Sequence, residues 1–359
     1  MALILIYRQA ILASAKLKKW LFPSVFLFLI FFLPSFVNLL SPSARARGEW
    51  VSLLGPASIN YINNLRNNSS LPPFFSRLLF NKVTYLAINV PANYLDFLDP
   101  IKLFFRGTPN YQFNLPHTGI LFPVGLPFFY LGLLIFCKRA LGRNPLSLFL
   151  ILWFLIGLIP SVITTGDFPI IRATSILPLP YLFIVQGLFS LRSRLKPLIS
   201  RLFLLSFITI SLMYFSRYLY GYFYLYPYQY SSSWQYGYKQ AIGYVKENYL
   251  YYPKIIITKK YGEPHEFLFF YWPWDPKNIL SDPNFTWDYH ASWYWVDSLD
   301  KFQFINDWEI KPKTQIVIEP TLLITSPGNY NPANGQLLKT IYFLNQEPAF
   351  DIVQLYATK

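Results

Sequence analysis

Two carboxylates one helical turn apart, Asp96 and Asp99, lie in the stretch Asn93–Leu134, where a polar, aromatic-rich segment passes into an uncharged apolar run. Acids at this spacing share a helix face, and at such a boundary they can serve as a general base, a metal contact or an anchor for a sugar hydroxyl. The same residues have a purely structural use, with Asp99 before Pro100 capping or ending a helix and Asp96 solvated. Arg172 and Asp167 flank a short polar turn, TTGDFPIIRA, between two apolar runs. A guanidinium there can clamp a lipid phosphate bidentately, or anchor the helix that follows. His117 ends the polar segment and is a candidate to line a site. Together with His265 and His290 it is too scattered for a metal-ligand pattern, so no metal site is predicted. The only cysteine, Cys137, excludes an intramolecular disulfide and a thiolate metal cluster. No P-loop, dinucleotide fingerprint or nucleophile elbow is present.

The elements that must position these residues are apolar. The chain has 359 residues, 53% of them hydrophobic and 13% charged, with a mean hydropathy of +0.30. That is too apolar for an ordinary soluble domain, and long uncharged runs mark an integral membrane protein. A net charge of +14 raises the question of nucleic acid. The basic residues, however, sit in short links between apolar runs, where they set topology and form no phosphate-binding surface, so no nucleic-acid partner is expected.

Taken in order, residues 1–19 form a basic cytoplasmic lead and residues 20–40 the first transmembrane helix, too long for the apolar core of a signal peptide. Residues 41–117 form an extracytoplasmic loop with short helices over Ser58–Asn64 and Phe75–Tyr94, separated by the Asn67–Pro73 punctuation. Residues 118–220 hold four further spans: 118–136, 145–163, 174–191 and a short fifth at 202–218. The lead and the links Lys138–Arg143 and Arg192–Arg201 carry basic residues and no acid. The positive-inside rule therefore puts the N-terminus in the cytoplasm and the C-terminal domain outside, against a mild opposing pull from Arg45 and Arg47. Residues 221–359 change composition and predict a small extracytoplasmic α/β domain. It has a helix over Trp234–Tyr249, strands at Lys254–Thr258, Thr314–Glu319, Leu338–Leu344 and Ala349–Leu355, and a short helix over Pro264–Tyr271. The fold class is thus an α-helical membrane protein of about five spans with a C-terminal α/β domain. The tyrosine-rich stretch Tyr218–Tyr230 suits a membrane-interface belt, or a platform for stacking sugar rings.

Three stretches together resemble the multi-span GT-C class of membrane glycosyltransferases, the group that includes protein O-mannosyltransferases and lipid A aminoarabinose transferases. The first runs from Tyr94-Leu95 through Pro100 and Leu103-Phe104-Phe105-Arg106-Gly107-Thr108-Pro109-Asn110, then through Gly119 to Leu126-Pro127 and Leu131-Gly132-Leu133. The second comprises Ile159-Pro160-Ser161 to Thr165, Arg172-Ala173 and Leu177-Pro178. The third comprises Tyr226-Pro227, Ser233 to Lys239, Ile257-Thr258, Gly262-Glu263-Pro264 and Phe269-Phe270-Tyr271 to Asp275-Pro276. The resemblance covers most of this chain but corresponds to the later part of such an enzyme. The family's early spans and its acidic first external loop have no counterpart, since one span precedes the Ser41–His117 loop. In RGTPNYQF, Thr108, Gln112 and Phe113 stand where an acid or a basic pair is expected.

The resemblance implies transfer of a sugar from a polyprenyl-phosphate donor to an acceptor on the extracytoplasmic face, by direct displacement at the anomeric carbon. Arg172 would meet the lipid phosphate, Asp96 and Asp99 are the carboxylate candidates for base, and His117 and Asp167 would line the site. A divalent metal could assist, and a separate N-terminal half could complete the enzyme. The alternative is a non-catalytic, membrane-anchored module whose external domain binds a glycan or a protein partner.

Overall fold

The computed structural model describes residues 15–38, 48, 51–166, 168–290 and 293–357. The first fourteen residues of the predicted lead, the end of the first span with most of the segment up to residue 50, and Asp167 lie outside the described residues. The chain divides into two compact units, Met1–Tyr218 and Leu219–Lys359.

The first unit is helical. Helix α1 is Ala15–Asn38, and its uncharged part Phe22–Asn38 holds Pro34 and begins beside Pro23. Three helices follow in the predicted loop: α2 (Pro56–Asn67), α3 (Pro73–Leu79) and α4 (Lys82–Asp96). The sequence predicts one helix over Phe75–Tyr94, but the structure breaks it at Asn81. That side chain accepts hydrogen bonds from the Val83 and Thr84 amides at 2.8 and 3.0 Å, capping a new helix. Then come α5 (Leu126–Leu141), α6 (Pro145–Val162), α7 (Pro178–Arg192) and α8 (Pro197–Tyr220). Helix α6 starts where Asn144 accepts from the Ser147 amide and Pro145 removes a surplus donor.

Among the described residues, three helices are long and apolar enough to cross a membrane: Pro123–Leu141, Pro145–Val162 and Pro197–Tyr230. A fourth is reached if Ile170–Ile176 and Pro178–Arg192, bent by 61° at the junction, count as one broken span. Of the expected first span the described part, Phe22–Asn38, falls among the shorter apolar helices, and residues 39–40 lie outside the described residues. The last span, expected to be short, is instead a 34-residue run, because a π-helical turn at Gly221–Leu225 and a turn at Tyr226–Tyr230 continue α8. That run buries none of its apolar window inside the chain. Its apolar side chains are mostly exposed, while Phe203 and Phe207 pack edge-on against Phe128.

Helices α5 and α7 form the closest pair. An added Cβ on Gly132 would stand 1.8 Å from the Phe183 carbonyl oxygen, and one on Gly187 would stand 2.0 Å from that of Phe128. The two backbones therefore touch, as small residues allow where apolar helices cross. Around the crossing, Phe128, Phe129, Phe136, Phe154 and Phe183 join Leu158, Val162 and Leu179 in one buried cluster.

The second unit is a seven-stranded sheet in the order β2-β3-β4-β1-β5-β7-β6. The strands are β1 (Lys254–Thr258), β2 (Thr286–His290), β3 (Trp293–Leu299), β4 (Phe302–Ile305), β5 (Thr321–Thr325), β6 (Gly335–Tyr342) and β7 (Pro348–Leu355). The central β1 pairs in parallel with β4 and β5, and the outer pairs are antiparallel. Helices α9 (Tyr238–Asn248) and α10 (Pro264–Tyr271) belong with one face, where Ile242, Val245 and Leu268 cluster with Ile255, Ile257, Phe302 and Leu322. On the other face Ile256, Ile305, Leu323 and Val353 cluster with Ile310 of the short helix Ile310–Lys313.

Strand β1 and helix α10 lie at their predicted positions, and β6 and β7 within a few residues of theirs. The predicted helix over Trp234–Tyr249 is shortened, because Gln235 and Gly237 at φ 55° and 110° interrupt it. The predicted strand Thr314–Glu319 is not one. Its Val317 is buried, while Ile316 and Ile318 are 78% and 91% exposed, and the buried strand begins only after Pro320, at Thr321. Strands β2, β3 and β4 were not anticipated. They are short, and β3 and β4 are joined by a tight turn at Asp300 with φ 50°, so each offers little periodicity.

Candidate functional site

The predicted site residues belong to the first unit, where Asn93–Leu134 folds back on itself. A π-helical turn, Lys102–Arg106, ends at Gly107, and the loop closes where the Leu121 amide donates to the Leu103 carbonyl at 2.9 Å. Gly119 makes this closure, since a Cβ there would meet the Phe104 carbonyl carbon at 2.2 Å. Phe104 is completely buried, so the return of the chain is fixed from inside the helical core.

Asp96 ends α4 and forms an ion pair with Lys102 at 3.0 Å. Asp99 Oδ1 accepts from the Ile101 amide at 2.7 Å, the capping use of an acid before proline. Between them Phe97 is buried and contacts Phe168 with ring centroids 4.9 Å apart, and the Tyr130 hydroxyl donates to the Leu98 carbonyl at 2.6 Å. This brings the carboxylate segment beside the turn that carries Arg172. Arg172 Nη1 donates to Thr164 Oγ1 at 3.0 Å and to the Thr165 carbonyl at 3.2 Å. The turn is held in place by Leu53 donating to Ile163 and Thr165 to Val51, at 2.9 and 2.8 Å. His117 is exposed and takes a positive φ of 56°. Among the described residues, no hydrogen bond or ion pair joins any two of Asp96, Asp99, His117 and Arg172, and no three His, Cys, Asp or Glu side chains gather as a metal-binding group.

A groove of about 460 Å³ is lined by Phe113, Leu115, Ile120, Phe122, Ile170, Ile171, Thr174, Tyr181, Phe215 and Tyr218, with Asn114 and Gly119 completing it, and none of Asp96, Asp99, His117 and Arg172 is among its lining residues. It lies between the folded-back loop, the 3-10 turn Ile170–Ile176 that carries Arg172, and α8. Its walls are mostly apolar and aromatic, which suits a hydrocarbon chain more than a free sugar.

Asn114 is the residue sequence reasoning missed here. Its Nδ2 faces the carbonyls of Arg106, Leu115 and Thr118 at 3.3, 2.9 and 3.1 Å. One amide thus ties both ends of the loop that forms a groove wall. Asn114→Ala is expected to remove about 1–2 kcal/mol of local stability. Limited proteolysis within residues 107–118 should then become about ten-fold faster, with the melting of the helical core nearly unchanged. Unaltered cleavage would show that the loop is held by something else.

In the second unit, polar side chains gather at the carboxyl ends of the parallel strands. Asp307, just after β4, accepts from Thr258 Oγ1 and Ser326 Oγ, both at 2.8 Å, and Lys260 Nζ lies 3.7 Å away. Burial works against its charge, but the hydrogen bonds from Ser326, Thr258 and Asn329, aided by Lys260, hold its pKa below the ordinary carboxylate value. His265 is pushed down to about 4, first by burial and then by the Lys259 charge, so it is neutral at pH 7. Strand ends flanking a central β1 whose neighbours are reached from opposite faces form the position where open α/β sheets take ligands.

Compared with family models, curated proteins and solved structures, the chain matches none of them. The functional reading therefore comes from the residues.

Proposed function

We propose that the chain is a GT-C-like membrane protein acting in transfer of a sugar from a polyprenyl-phosphate donor to an acceptor on the extracytoplasmic face, together with a separate chain that supplies further spans. The observation that carries this reading is the apolar groove of about 460 Å³ beside a broken helix. Its wall is the same short turn that bears Arg172. The isoprenoid chain would lie in the groove, and the Arg172 guanidinium, oriented by Thr164 and Thr165, would meet the phosphate. In the reaction, the acceptor oxygen attacks the anomeric carbon and the bond from that carbon to the phosphate oxygen breaks. The acceptor proton passes to a carboxylate, for which Asp96 and Asp99 are the candidates, and the lipid phosphate leaves with its charge met by Arg172. In this reading the apolar helices span the cell membrane, with the N-terminus inside and the seven-stranded unit outside.

The test is transfer of radiolabelled sugar from a polyprenyl-phosphate donor in membranes expressing this chain, alone and with the neighbouring upstream reading frame. Transfer is expected in the second condition, and Arg172→Ala should lower it by about 10²-fold, the effect of losing one group that meets developing charge. Transfer that ignores Arg172→Ala would remove that residue from the site. No transfer in either condition would overturn the reading in favour of an anchored binding module.

A further inference from the structure

Helix α4 is inside out. After Lys82 its exposed positions are Val83, Ala87, Ile88, Pro91, Ala92 and Leu95, all of them apolar. The opposite side carries Tyr85, Asn89 and Asn93, four residues apart and so on one face. These polar groups turn inward. The Tyr85 hydroxyl donates to Ser58 Oγ at 3.3 Å, Asn89 Nδ2 to the Tyr85 carbonyl at 2.8 Å, and Asn93 Nδ2 to the Val162 carbonyl at 2.8 Å. The short helix α3 follows the same rule, with Ser76 buried and donating to the Arg66 carbonyl at 3.4 Å. Its Phe74 and Leu78 are 72% and 59% exposed, and Val83, Ile88 and Leu95 of α4 are 75%, 65% and 66% exposed. A helix that faces water does the reverse, burying its apolar stripe and wetting its polar one.

Two observations indicate what covers this face. The first is its position along α6. The Tyr94 hydroxyl donates to the Leu155 carbonyl at 2.8 Å, and Leu155 lies two turns, about 10 Å, before the end of α6 at Val162. The last turn of α4 therefore runs beside a helix long and apolar enough to cross a membrane, whose Leu155, Ile156 and Ile159 are themselves exposed. The second observation is charge. From Trp50 to Leu95 the chain holds Arg66, Arg77 and Lys82 and no acid. Arg77 and Lys82 are exposed and bracket the α3–α4 junction. Apolar side chains beside exposed cations match the boundary between acyl chains and anionic lipid headgroups.

We propose that α3 and α4 lie in the membrane interface, with Phe74, Leu78, Val83, Ile88 and Leu95 among the acyl chains and Arg77 and Lys82 on anionic headgroups. The proposal rests on reading the long apolar helices as membrane spans and is independent of any transfer activity. The stretch expected as an extracytoplasmic loop is then held on the bilayer through these two helices.

The test uses the full chain in nanodiscs of phosphatidylcholine, with and without phosphatidylglycerol. Single cysteines in a Cys137→Ala background carry a nitroxide label. Its relaxation by oxygen, which concentrates in lipid, is compared with that by a neutral nickel chelate, which stays in water. Leu205→Cys on α8 marks lipid and Lys246→Cys on α9 marks water, both at exposed positions. Ile88→Cys and Leu95→Cys are expected to match Leu205→Cys, with oxygen-to-nickel ratios about ten-fold above that of Lys246→Cys. At Val83→Cys the ratio should rise about five-fold when phosphatidylglycerol is added, and Arg77→Gln with Lys82→Gln should abolish the rise. Every introduced cysteine replaces an exposed side chain, and an unchanged melting temperature verifies folding.

Water-like ratios at 88 and 95 with a lipid-like Leu205→Cys overturn the proposal and leave the spans intact. A water-like Leu205→Cys overturns the spans themselves and the proposal with them. Labels at 88 and 95 shielded from both agents overturn it in favour of a protein cover. A ratio at Val83→Cys indifferent to phosphatidylglycerol overturns the assignment of the two cations to anionic headgroups.

Discussion

Replacing Gly132 or Gly187 by alanine is expected to prevent the first unit from reaching its native packing, a larger effect than loss of a single buried methyl group. The predicted contacts are with backbone, 1.8 Å to the Phe183 oxygen and 2.0 Å to the Phe128 oxygen, so no side chain can swing away. Relief requires α5 and α7 to separate by more than 1 Å, to the roughly 3.0 Å that is the lower limit of real contacts. The separation would loosen the phenylalanines packed around the crossing. Overpacking of a close contact costs about 1–3 kcal/mol, and a backbone clash belongs at or above the top of that range. Each variant should lower the yield of detergent-extracted monodisperse protein and its melting temperature. Gly243→Ala in α9 is the control, because nothing lies within 4 Å of its added Cβ. That change should stabilise its helix by about 0.5–1 kcal/mol. Wild-type melting of both Gly132→Ala and Gly187→Ala would refute the close crossing.

Asp307→Ala should destabilise the second unit by about 3 kcal/mol or more. Thr258 is fully buried and Ser326 nearly so, and both donate to this carboxylate. Truncation leaves two hydroxyls without their acceptor and Lys260 without its nearest acid. The unit's melting temperature should drop by about 10 °C or more, and amides of β1 and β5 should exchange faster with solvent. Acid titration supplies an independent check. A carboxylate with a depressed folded pKa contributes its full stability above the ordinary carboxylate range, and loses it as pH falls through the folded value. Asp307→Ala should therefore flatten the lowest part of the stability profile. His265 acts higher. The unfolded chain takes up its proton near 6.5, while the folded unit resists until about 4. Stability should thus decline as pH falls across that window, and His265→Gln should remove the upper slope and leave the lower one. A profile unchanged by either substitution would contradict these assignments.

Much of the fold was legible along single elements. In Lys254–Thr258 and Pro264–Tyr271, an apolar run bounded by proline or polar residues marks a strand and a helix at the positions observed. The apolar runs at Pro123–Leu141 and Pro145–Val162 likewise announce helices long and apolar enough to cross a membrane. Thr314–Glu319 misled because the consecutive apolar residues Ile316, Val317 and Ile318 read as a buried strand, whereas Ile316 and Ile318 are exposed and Val317 is buried. Asn81 sits inside an apolar rhythm, and only its capping bonds reveal that it starts a helix.

The candidate site was legible in residue type and not in partnership. The sequence by itself determined that two acids and an arginine stand at the edges of apolar helices, and that a β-rich unit follows them. Composition and periodicity decide which side chains each element must bury, and these are properties of neighbours in the chain. The tertiary structure alone decided that Asp96 pairs with Lys102, that Asn114 and the Arg172 turn share a groove, and that Asp307 collects Thr258 and Ser326 from 49 and 19 residues away. Hydrogen bonds and ion pairs act over a few ångströms of space, so their partners are chosen by which elements fold side by side. In this protein that choice rests on the crossing of two glycine-bearing helices and on a parallel β1 at the centre of the sheet.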